Sequence, residues 1–322
     1  CIRDRSSYGS YGQLIAEGDA QMDDEGRATF QVPADIAGET QSQLFTIEAS
    51  VTDLNGQEVS SRSATIVHQG EFYVGVAPHG YLSRLGEEKQ VDLLTVDWDG
   101  KPVAAVPLAL VFMEHRWHSV RRQAEDGNFY WEWSSQDVPV FTTTVTSDGD
   151  GRAVAAFRPE KAGSDRVRAS GHDDQGNEVR SSAYFWVWGG DDYVRWRQES
   201  NNRIELIADK EEYQVGDIAE ILVPSPYSGT VQALVTTERG HIIRSEVREL
   251  TTNSEVLRVP IGEEHVPNLF LSVVLVQGAQ QAADGLATFK MGVARLPVSV
   301  ASKALEITLA PDRDMGQGEH YG

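Results

Sequence analysis

Hydrophobic and polar positions alternate with a period of two along most of the chain, which predicts half-buried β-strands. Turn signals that favour tight hairpins interrupt this alternation between β-branched or aromatic runs. They are Asn55-Gly56, Asp99-Gly100, Asp150-Gly151, Gln175-Gly176 and Arg239-Gly240. The pattern therefore predicts a succession of antiparallel hairpins.

The strand pattern is clearest between residues 202 and 303, where no stretch keeps a helical period. Seven strands are predicted there: Ile204–Ala208, Ile218–Pro224, Thr230–Glu238, His241–Leu250, Glu255–Ile261, Leu269–Gln277 and Lys290–Val300. Seven short strands in roughly 100 residues are typical of a β-sandwich. The predicted fold class is therefore all-β, with tandem seven-stranded antiparallel β-sandwiches.

An internal repeat indicates how the chain is organised. Phe45–Gly70 aligns with Asp165–Gly190 at a constant offset of 120, with identities that include Ala49/Ala169, Asp53/Asp173, Gly56/Gly176 and Val67/Val187. Self-similarity at this spacing indicates a tandem array of similar domains.

The repeat and the turn signals predict five segments. Residues 1–69 are read as the C-terminal part of a truncated sandwich, 70–190 as a complete sandwich, and 191–201 as a linker, here called the connector. Residues 202–303 are a further complete sandwich, and 304–322 the truncated start of another β domain. We expect Tyr193 and Trp196 in the connector to wedge the two complete sandwiches together.

Charge and cysteine content narrow the function. The 322 residues contain 28 Lys+Arg and 49 Asp+Glu, a net charge of −21, which argues against nucleic acid and anionic membrane surfaces as partners. No run approaches the ~18 apolar residues that would span a bilayer, so no membrane insertion is expected. One Cys and no N-glycosylation sequon fit a bacterial or intracellular origin better than a eukaryotic secreted one.

Candidate reactive groups do not assemble into a catalytic or metal motif. Glu114 and His118 lie on one face of a predicted strand and His115 on the other, so they are interpreted as solvated strand residues. Asp148–Gly151 has too few ligand positions for a calcium loop and is interpreted as an acidic hairpin turn. Cys1 has no identifiable base. We therefore predict no catalytic, metal or cofactor-binding residues, no cofactor, and no enzymatic activity.

Alternating aromatic residues have two readings. Phe129, Trp131 and Trp133 share one strand face, and Trp186 and Trp188 share another. In sandwiches such residues mostly pack in the core or between domains, which is the favoured interpretation. The alternative is that Trp131 and Trp133 form a sugar-stacking platform.

A long loop separates the last two predicted strands of residues 202–303. Gly278–Phe289 has twelve residues where two to five would suffice, and its side chains are mostly small or polar. Proteases cut exposed stretches of this kind, and Phe289 and Lys290 are the residues after which we expect trypsin or chymotrypsin to cut. An inert long loop is the alternative, and composition alone favours it.

Several motifs occur in an order that resembles the bait-region domain of bacterial α2-macroglobulin-like proteins. The matching residues are Lys210, Tyr213, Gly216, Asp217, Ser225, Pro226, Tyr227, Gly229, Glu238, Arg239, Pro267 and Asn268. Val96–Val103 and Gly176–Ser182 also resemble macroglobulin domains of that family. The resemblance covers about residues 20–309 and implies macroglobulin-like sandwiches of the immunoglobulin and fibronectin-III kind.

The resemblance implies a broad-spectrum protease trap, in which an endopeptidase cuts a bait segment and a thioester in a separate domain can attach to the endopeptidase covalently. This sequence has no Cys-Gly-Glu-Gln run, so it cannot carry the covalent step. The long loop lies about where the bait would fall. The candidate bait residues are Gly278, Ala279, Gln280, Gln281, Ala282, Ala283, Asp284, Gly285, Leu286, Ala287, Thr288, Phe289 and Lys290.

With this resemblance the expected partners are endopeptidases and neighbouring domains of the parent chain, including a thioester domain. The expected location is extracytoplasmic in a bacterium: periplasmic, anchored to the cell envelope or secreted. The alternative function is a tandem Ig-like adhesive or carbohydrate-binding module of the cell surface, which would use the Trp131/Trp133 face.

Overall fold

The computed structural model describes residues 14–36, 39, 41–123, 129–198, 201–281, 285–305 and 307. Within these ranges the regular structure is β-strand apart from two 3-10 turns, Glu263–His265 and Ala301–Lys303. The same ranges contain no helix with the length and hydropathy needed to span a membrane. The all-β fold class is confirmed. The chain divides into two compact units, Cys1–Glu71 and Phe72–Gly322.

The described part of the first unit contains one β-hairpin, formed by β1 (Gln43–Thr52) and β2 (Glu58–Val67). The two strands pair in unbroken antiparallel register from Gln43↔Val67 to Thr52↔Glu58. Most of the hairpin side chains are exposed.

The second unit begins with a sandwich of eight strands. Its two sheets have the orders β3-β5-β8 and β4-β10-β9-β6-β7. The strands are β3 (Tyr73–Pro78), β4 (Leu82–Arg84), β5 (Lys89–Val96), β6 (Pro107–Gln123), β7 (Phe129–Thr146), β8 (Arg152–Phe157), β9 (Gly163–His172) and β10 (Glu178–Trp188). One strand more than predicted is present because Leu82–Arg84 pairs in parallel with Trp186–Trp188. Side chains from both sheets, among them Val91, Leu110 and Phe185, form its core.

The remainder of the second unit contains a sandwich of seven strands, the predicted number. They are β11 (Ile207–Ala208), β12 (Ile218–Pro224), β13 (Val231–Glu238), β14 (Ile242–Leu250), β15 (Ser254–Pro260), β16 (Asn268–Gln277) and β17 (Thr288–Pro297). The sheets have the orders β11-β12-β15 and β14-β13-β16-β17. On β16 the alternation of Leu269, Leu271, Val273 and Leu275 directs these four side chains into the core.

Five acidic turns share one hydrogen-bond pattern. The Oδ1 atom of each Asp accepts backbone N–H groups from the residues two and four positions later, and the Gly three positions later has a φ between 71° and 86°. A positive φ favours glycine because a Cβ atom would be strained there. The five Asp residues are Asp23, Asp53, Asp97, Asp148 and Asp173. Asp148–Gly151 is therefore a hairpin turn, as predicted.

The internal repeat is confirmed by strand register. Val51 pairs with Val59 in the first unit, and Gly171 pairs with Val179 at the positions 120 residues later. The two hairpins thus share the same turn and the same register.

A third apolar cluster joins the two sandwiches of the second unit. Leu82, Val194, Trp196 and Leu222 are buried in it, and Trp186 and Trp188 pack against it together with Ile207 and Val256. Trp196 is only 5% exposed, and the Tyr193 hydroxyl donates to the carbonyl oxygen of Pro226 at 3.0 Å. The predicted role of Tyr193 and Trp196 as a wedge is confirmed, as is interdomain packing of Trp186 and Trp188.

Candidate functional site

The hairpin of β16 and β17 carries the candidate bait residues. Ten residues, 278–287, connect the two strands, and we call them the bait loop. Its residues 278–281 and 285–287 are exposed, and Leu286 is exposed by 67%. Ala282, Ala283 and Asp284 lie outside the described residues. The described part of the loop is therefore open to an approaching protein.

Local hydrogen bonds hold the first half of the bait loop. The backbone N–H of Gln281 donates to the carbonyl oxygen of Gly278 at 2.9 Å, and the Gly278 N–H donates to Gln281 Oε1 at 3.3 Å. The Gln277 side-chain amide also donates to the Gln281 carbonyl at 3.4 Å. These bonds are exposed and link residues at most four positions apart, so the turn can open without disturbing the core.

Three of the candidate bait residues lie in a strand. Thr288, Phe289 and Lys290 are the first residues of β17, and Phe289 is opposite Val276 while Lys290 is opposite Leu275. The strand begins two residues earlier than the sequence predicted. Alternation continues back from Met291 through Phe289, so these residues extend the ladder with β16. The irregular loop is correspondingly shorter than the sequence indicated.

The end of the connector and the residues directly after it are hydrogen-bonded to this hairpin. The Met291 N–H donates to the carbonyl of Asn202 at 2.7 Å, and the Ile204 N–H donates to the carbonyl of Met291 at 2.9 Å. The Lys290 ammonium donates to the carbonyl of Asn201 at 2.5 Å. A side chain at Gly292 would collide with Ile204, so glycine permits this close approach. Sequence reasoning missed this contact, because no local pattern marks a pairing across about 90 residues.

The middle of the connector is anchored by Asn253. Its Oδ1 accepts the Val194 N–H at 3.0 Å, and its Nδ2 donates to the Val194 carbonyl at 2.7 Å. The Trp196 indole N–H donates to the Asn253 carbonyl at 2.7 Å. Both hydrogen-bonding groups of the Val194 backbone are thus satisfied in a buried position.

A second contact joins the sandwiches around Tyr81. Its N–H donates to the Asp209 carbonyl at 2.9 Å, and its hydroxyl donates to Glu211 Oε1 at 2.5 Å. The bond to Glu211 raises the pKa of Tyr81 to about 12. The buried Lys89 ammonium holds the adjoining turn by donating to the carbonyls of three residues, His79, Gly80 and Leu82. Burial lowers the pKa of Lys89 to about 8.

The prediction that the Glu114 and His115 side chains are solvated was wrong. His115 Nδ1 lies 2.6 Å from Asp137 Oδ1, and the His115 side chain is only 9% exposed. Its ring meets Trp117 and Tyr184 edge-on. A β-bulge between Phe112 and Met113 and packing across the sheet produce this environment, which alternation alone does not reveal. His118 is exposed, as expected.

Glu114 faces a second carboxyl group. Its cross-strand neighbour Asp165 is only 4% exposed, and burial together with the negative charge of Glu114 raises the pKa of Asp165 to about 7. Glu114 itself forms ion pairs with Arg116 at 2.5 Å and Lys161 at 3.2 Å. In the described ranges no three His, Cys, Asp or Glu side chains converge as metal ligands. A cavity of about 410 Å³ beside the pair is lined in part by Tyr193, Val194 and Arg195 of the connector.

The Trp133 ring packs against the connector. The Arg197 guanidinium lies 4.0 Å from the Trp133 ring centre, and Trp117 meets Trp133 edge-on at 5.3 Å. Trp131 is half-buried, and the side chain of Phe129 lies outside the described residues. The Arg197 side chain therefore covers one face of the ring that a sugar-stacking platform would use.

Comparison with known proteins agrees with the motifs. Residues 204–319 match the family model described as "Alpha-2-macroglobulin bait region domain". An alpha-2-macroglobulin homolog of Nostoc sp. is 20% identical over 274 residues, which cover 83% of this chain and 14% of that protein. The alpha-2-macroglobulin of Ralstonia nicotianae is 29% identical over 176 residues, 52% of this chain and 10% of that protein.

A solved structure, the native conformation of E. coli alpha-2-macroglobulin, is 19% identical with a TM-score of 0.39 and matches 86% of this chain and 18% of that one. The chain thus spans only a small part of the length of the relatives it matches. The resemblance to bacterial alpha-2-macroglobulins is confirmed, and residues 204–319 carry the match to their bait region domain.

Proposed function

We propose that this chain is a non-enzymatic segment of a bacterial protease inhibitor of the α2-macroglobulin type, and that residues 278–287 are its bait. The observation that carries the proposal is an irregular loop of ten residues whose described part is exposed, within the region that matches the bait region domain. A protease needs several consecutive residues extended in its cleft, and residues locked in a strand ladder cannot supply them without local unfolding.

The other elements would act as a scaffold that presents the bait loop. In this proposal residues 1–69, 70–190 and 202–303 are macroglobulin-like sandwiches or parts of them, and 304–322 begin a further β domain. The cluster around Trp196 and the contact at Tyr81 hold the two complete sandwiches together. Trp196 in the middle of the connector belongs to this cluster, and Asn201 at its end is bonded to Lys290 of β17.

The remaining steps would need other parts of the parent protein. Covalent capture requires a thioester domain outside this chain, since no Cys-Gly-Glu-Gln run occurs here. The partners would be endopeptidases and the neighbouring domains, at an extracytoplasmic location where foreign proteases are met.

Shortening the bait loop tests the proposal. Replacing residues 278–287 by Asn-Gly would join β16 and β17 with a two-residue turn that suits an antiparallel hairpin. We expect the first internal cleavage to disappear, and a parent protein with this change to lose protease inhibition, while the β circular dichroism is kept.

A loop of ten Gly and Ser residues is the matched control, because it keeps the length and removes the side chains that proteases recognise. We expect slow cleavage of this control by specific proteases. Unchanged inhibition by a folded, shortened parent protein would overturn the proposal.

A further inference from the structure

We infer that the bait loop selects proteases whose primary specificity pocket accepts a small or medium-sized apolar side chain, and that it excludes trypsin-like proteases. This inference rests on the proposed function, because it names the class of protease that the same loop can engage. Serine proteases differ in this pocket, which carries an acidic residue in trypsin and is small in elastase.

The composition of the loop supports the inference. Its described positions offer Ala279, Leu286 and Ala287 as residues that a small or medium-sized apolar pocket could accept, and all three are exposed. From Val259 to Phe289 the sequence contains neither Lys nor Arg. A trypsin-like protease therefore finds no recognised residue in the loop.

The nearest basic side chain is held by two elements. Lys290 is paired with Leu275 in the ladder of β16 and β17, and its ammonium donates to the carbonyl of Asn201. The next residue, Met291, is hydrogen-bonded to Asn202 and Ile204, which directly follow the connector. To bring Lys290 into a cleft, a protease would have to open the end of β17 and detach the connector. Each of these openings lowers the fraction of molecules that can be cut.

Phe289 is protected by the same ladder, since it lies opposite Val276. Proteases that prefer large aromatic residues are therefore disfavoured at Phe289 as well. Leu286, exposed by 67% and outside the strand, remains accessible to a pocket that takes Leu or Ala. Lys290 and Phe289, the residues that the sequence predicts as cleavage sites for trypsin and chymotrypsin, are thus held in a strand of the folded chain.

The test compares elastase and trypsin on the full chain. The two enzymes are first matched for activity on the urea-unfolded chain, and then used at limiting concentration with mass mapping of the first cuts. Within residues 278–290 we expect elastase to cut roughly tenfold faster than trypsin, or more, because cleavage at Lys290 must wait for local opening.

Two variants form a matched pair in which the same residue is introduced in the loop and in the strand. Leu286→Arg places a trypsin site in the loop, and we expect rapid cleavage by trypsin after position 286. Phe289→Arg places the same side chain three positions later in β17, where we expect resistance. Phe289 is half-exposed, so the arginine can be accommodated without filling the core.

Each outcome has a defined meaning. Cleavage after Lys290 in the unchanged chain as fast as elastase cleavage in the loop would overturn the inference and leave the bait position intact. Equal rates of trypsin cleavage at the introduced arginines of Leu286→Arg and Phe289→Arg would likewise overturn the inference and leave the bait position intact. If both enzymes cut the connector before any bond within 278–290, the proposed function itself fails.

Discussion

The bait loop and the connector are both irregular segments with cleavable residues, and they differ in what holds them. The connector offers Arg195 and Arg197 to trypsin, yet Val194 and Trp196, which flank Arg195, are buried and bonded to Asn253. The described residues of the loop are exposed, and local hydrogen bonds hold residues 278–281. Lack of regular secondary structure therefore does not by itself make a segment a protease substrate. Anchoring to the rest of the fold decides accessibility.

The largest expected effect comes from releasing the connector. Trp196→Ala removes a buried aromatic side chain from the cluster between the sandwiches and should lower the free energy of unfolding by roughly 3–5 kcal/mol. Trypsin should then cut after Arg195 and Arg197, so the difference between loop and connector disappears. Thermal unfolding and mass mapping of tryptic fragments measure both effects.

The control for this variant is Trp98→Ala, in an exposed acidic turn. This substitution should change the free energy of unfolding by no more than about 0.5 kcal/mol, the usual range for substitutions at the surface. If Trp196→Ala is as stable as Trp98→Ala and equally resistant to trypsin, the connector is not held by the cluster.

A pH-dependent effect is expected beside the connector. The pKa of Asp165 is raised to about 7, so between about pH 4 and 7 this carboxyl ionises in the unfolded chain and stays protonated in the fold. Because of this carboxyl, the free energy of unfolding falls as the pH rises from about 4 to 7, by up to roughly 4 kcal/mol. Above pH 7 the group causes no further change. The bait loop has no buried ionisable group among its described residues.

Asp165→Asn isolates this contribution, because an amide resembles the protonated acid and does not titrate. We expect the variant to be more stable than the unchanged chain at pH 8 and nearly equal to it at pH 4. The measurement is the free energy of unfolding in denaturant at both pH values. A stability difference that does not change with pH would contradict the assignment.

A smaller effect is expected from the amide that anchors the connector. Asn253→Ala removes the bonds to the N–H and carbonyl of Val194, and leaving those buried groups unsatisfied should cost roughly 1–3 kcal/mol. Tryptic cleavage of the connector should rise, while elastase cleavage of the loop stays unchanged.

Asn177→Ala serves as the matched control, because Asn177 makes its hydrogen bond in an exposed turn. Its effect on unfolding should be within about 0.5 kcal/mol. Equal effects of the two substitutions would show that Asn253 does not hold the connector.

Local patterns predicted much of this fold, and long-range contacts account for what they missed. Period-two alternation found the strands of residues 202–303 to within a few residues, and the Asp-to-Gly turns are visible in the sequence because their hydrogen bonds stay within five residues. The burial of Trp196 was predicted from an aromatic residue placed in an acidic linker.

The differences between the predicted and the observed structure share a physical cause. The short strand β4 exists through pairing with Trp186–Trp188, and the burial of His115 depends on Asp137 and on a bulge. Lys290 is protected from proteases because it pairs with Leu275 of β16 and its ammonium donates to the Asn201 carbonyl. Each of these contacts joins residues distant in the chain, which alternation and turn signals do not encode.

The most direct test of the central claim is limited cleavage of the full chain by a protease of broad specificity. Such an enzyme removes the effect of side-chain preference, so the first internal cut reports which backbone is accessible. Trimming at either end of the chain is disregarded, and mass spectrometry maps the earliest internal fragments. If residues 278–287 are the bait, we expect a first internal cut within them with the connector intact. A first internal cut within residues 191–201, with the loop still whole, would contradict it.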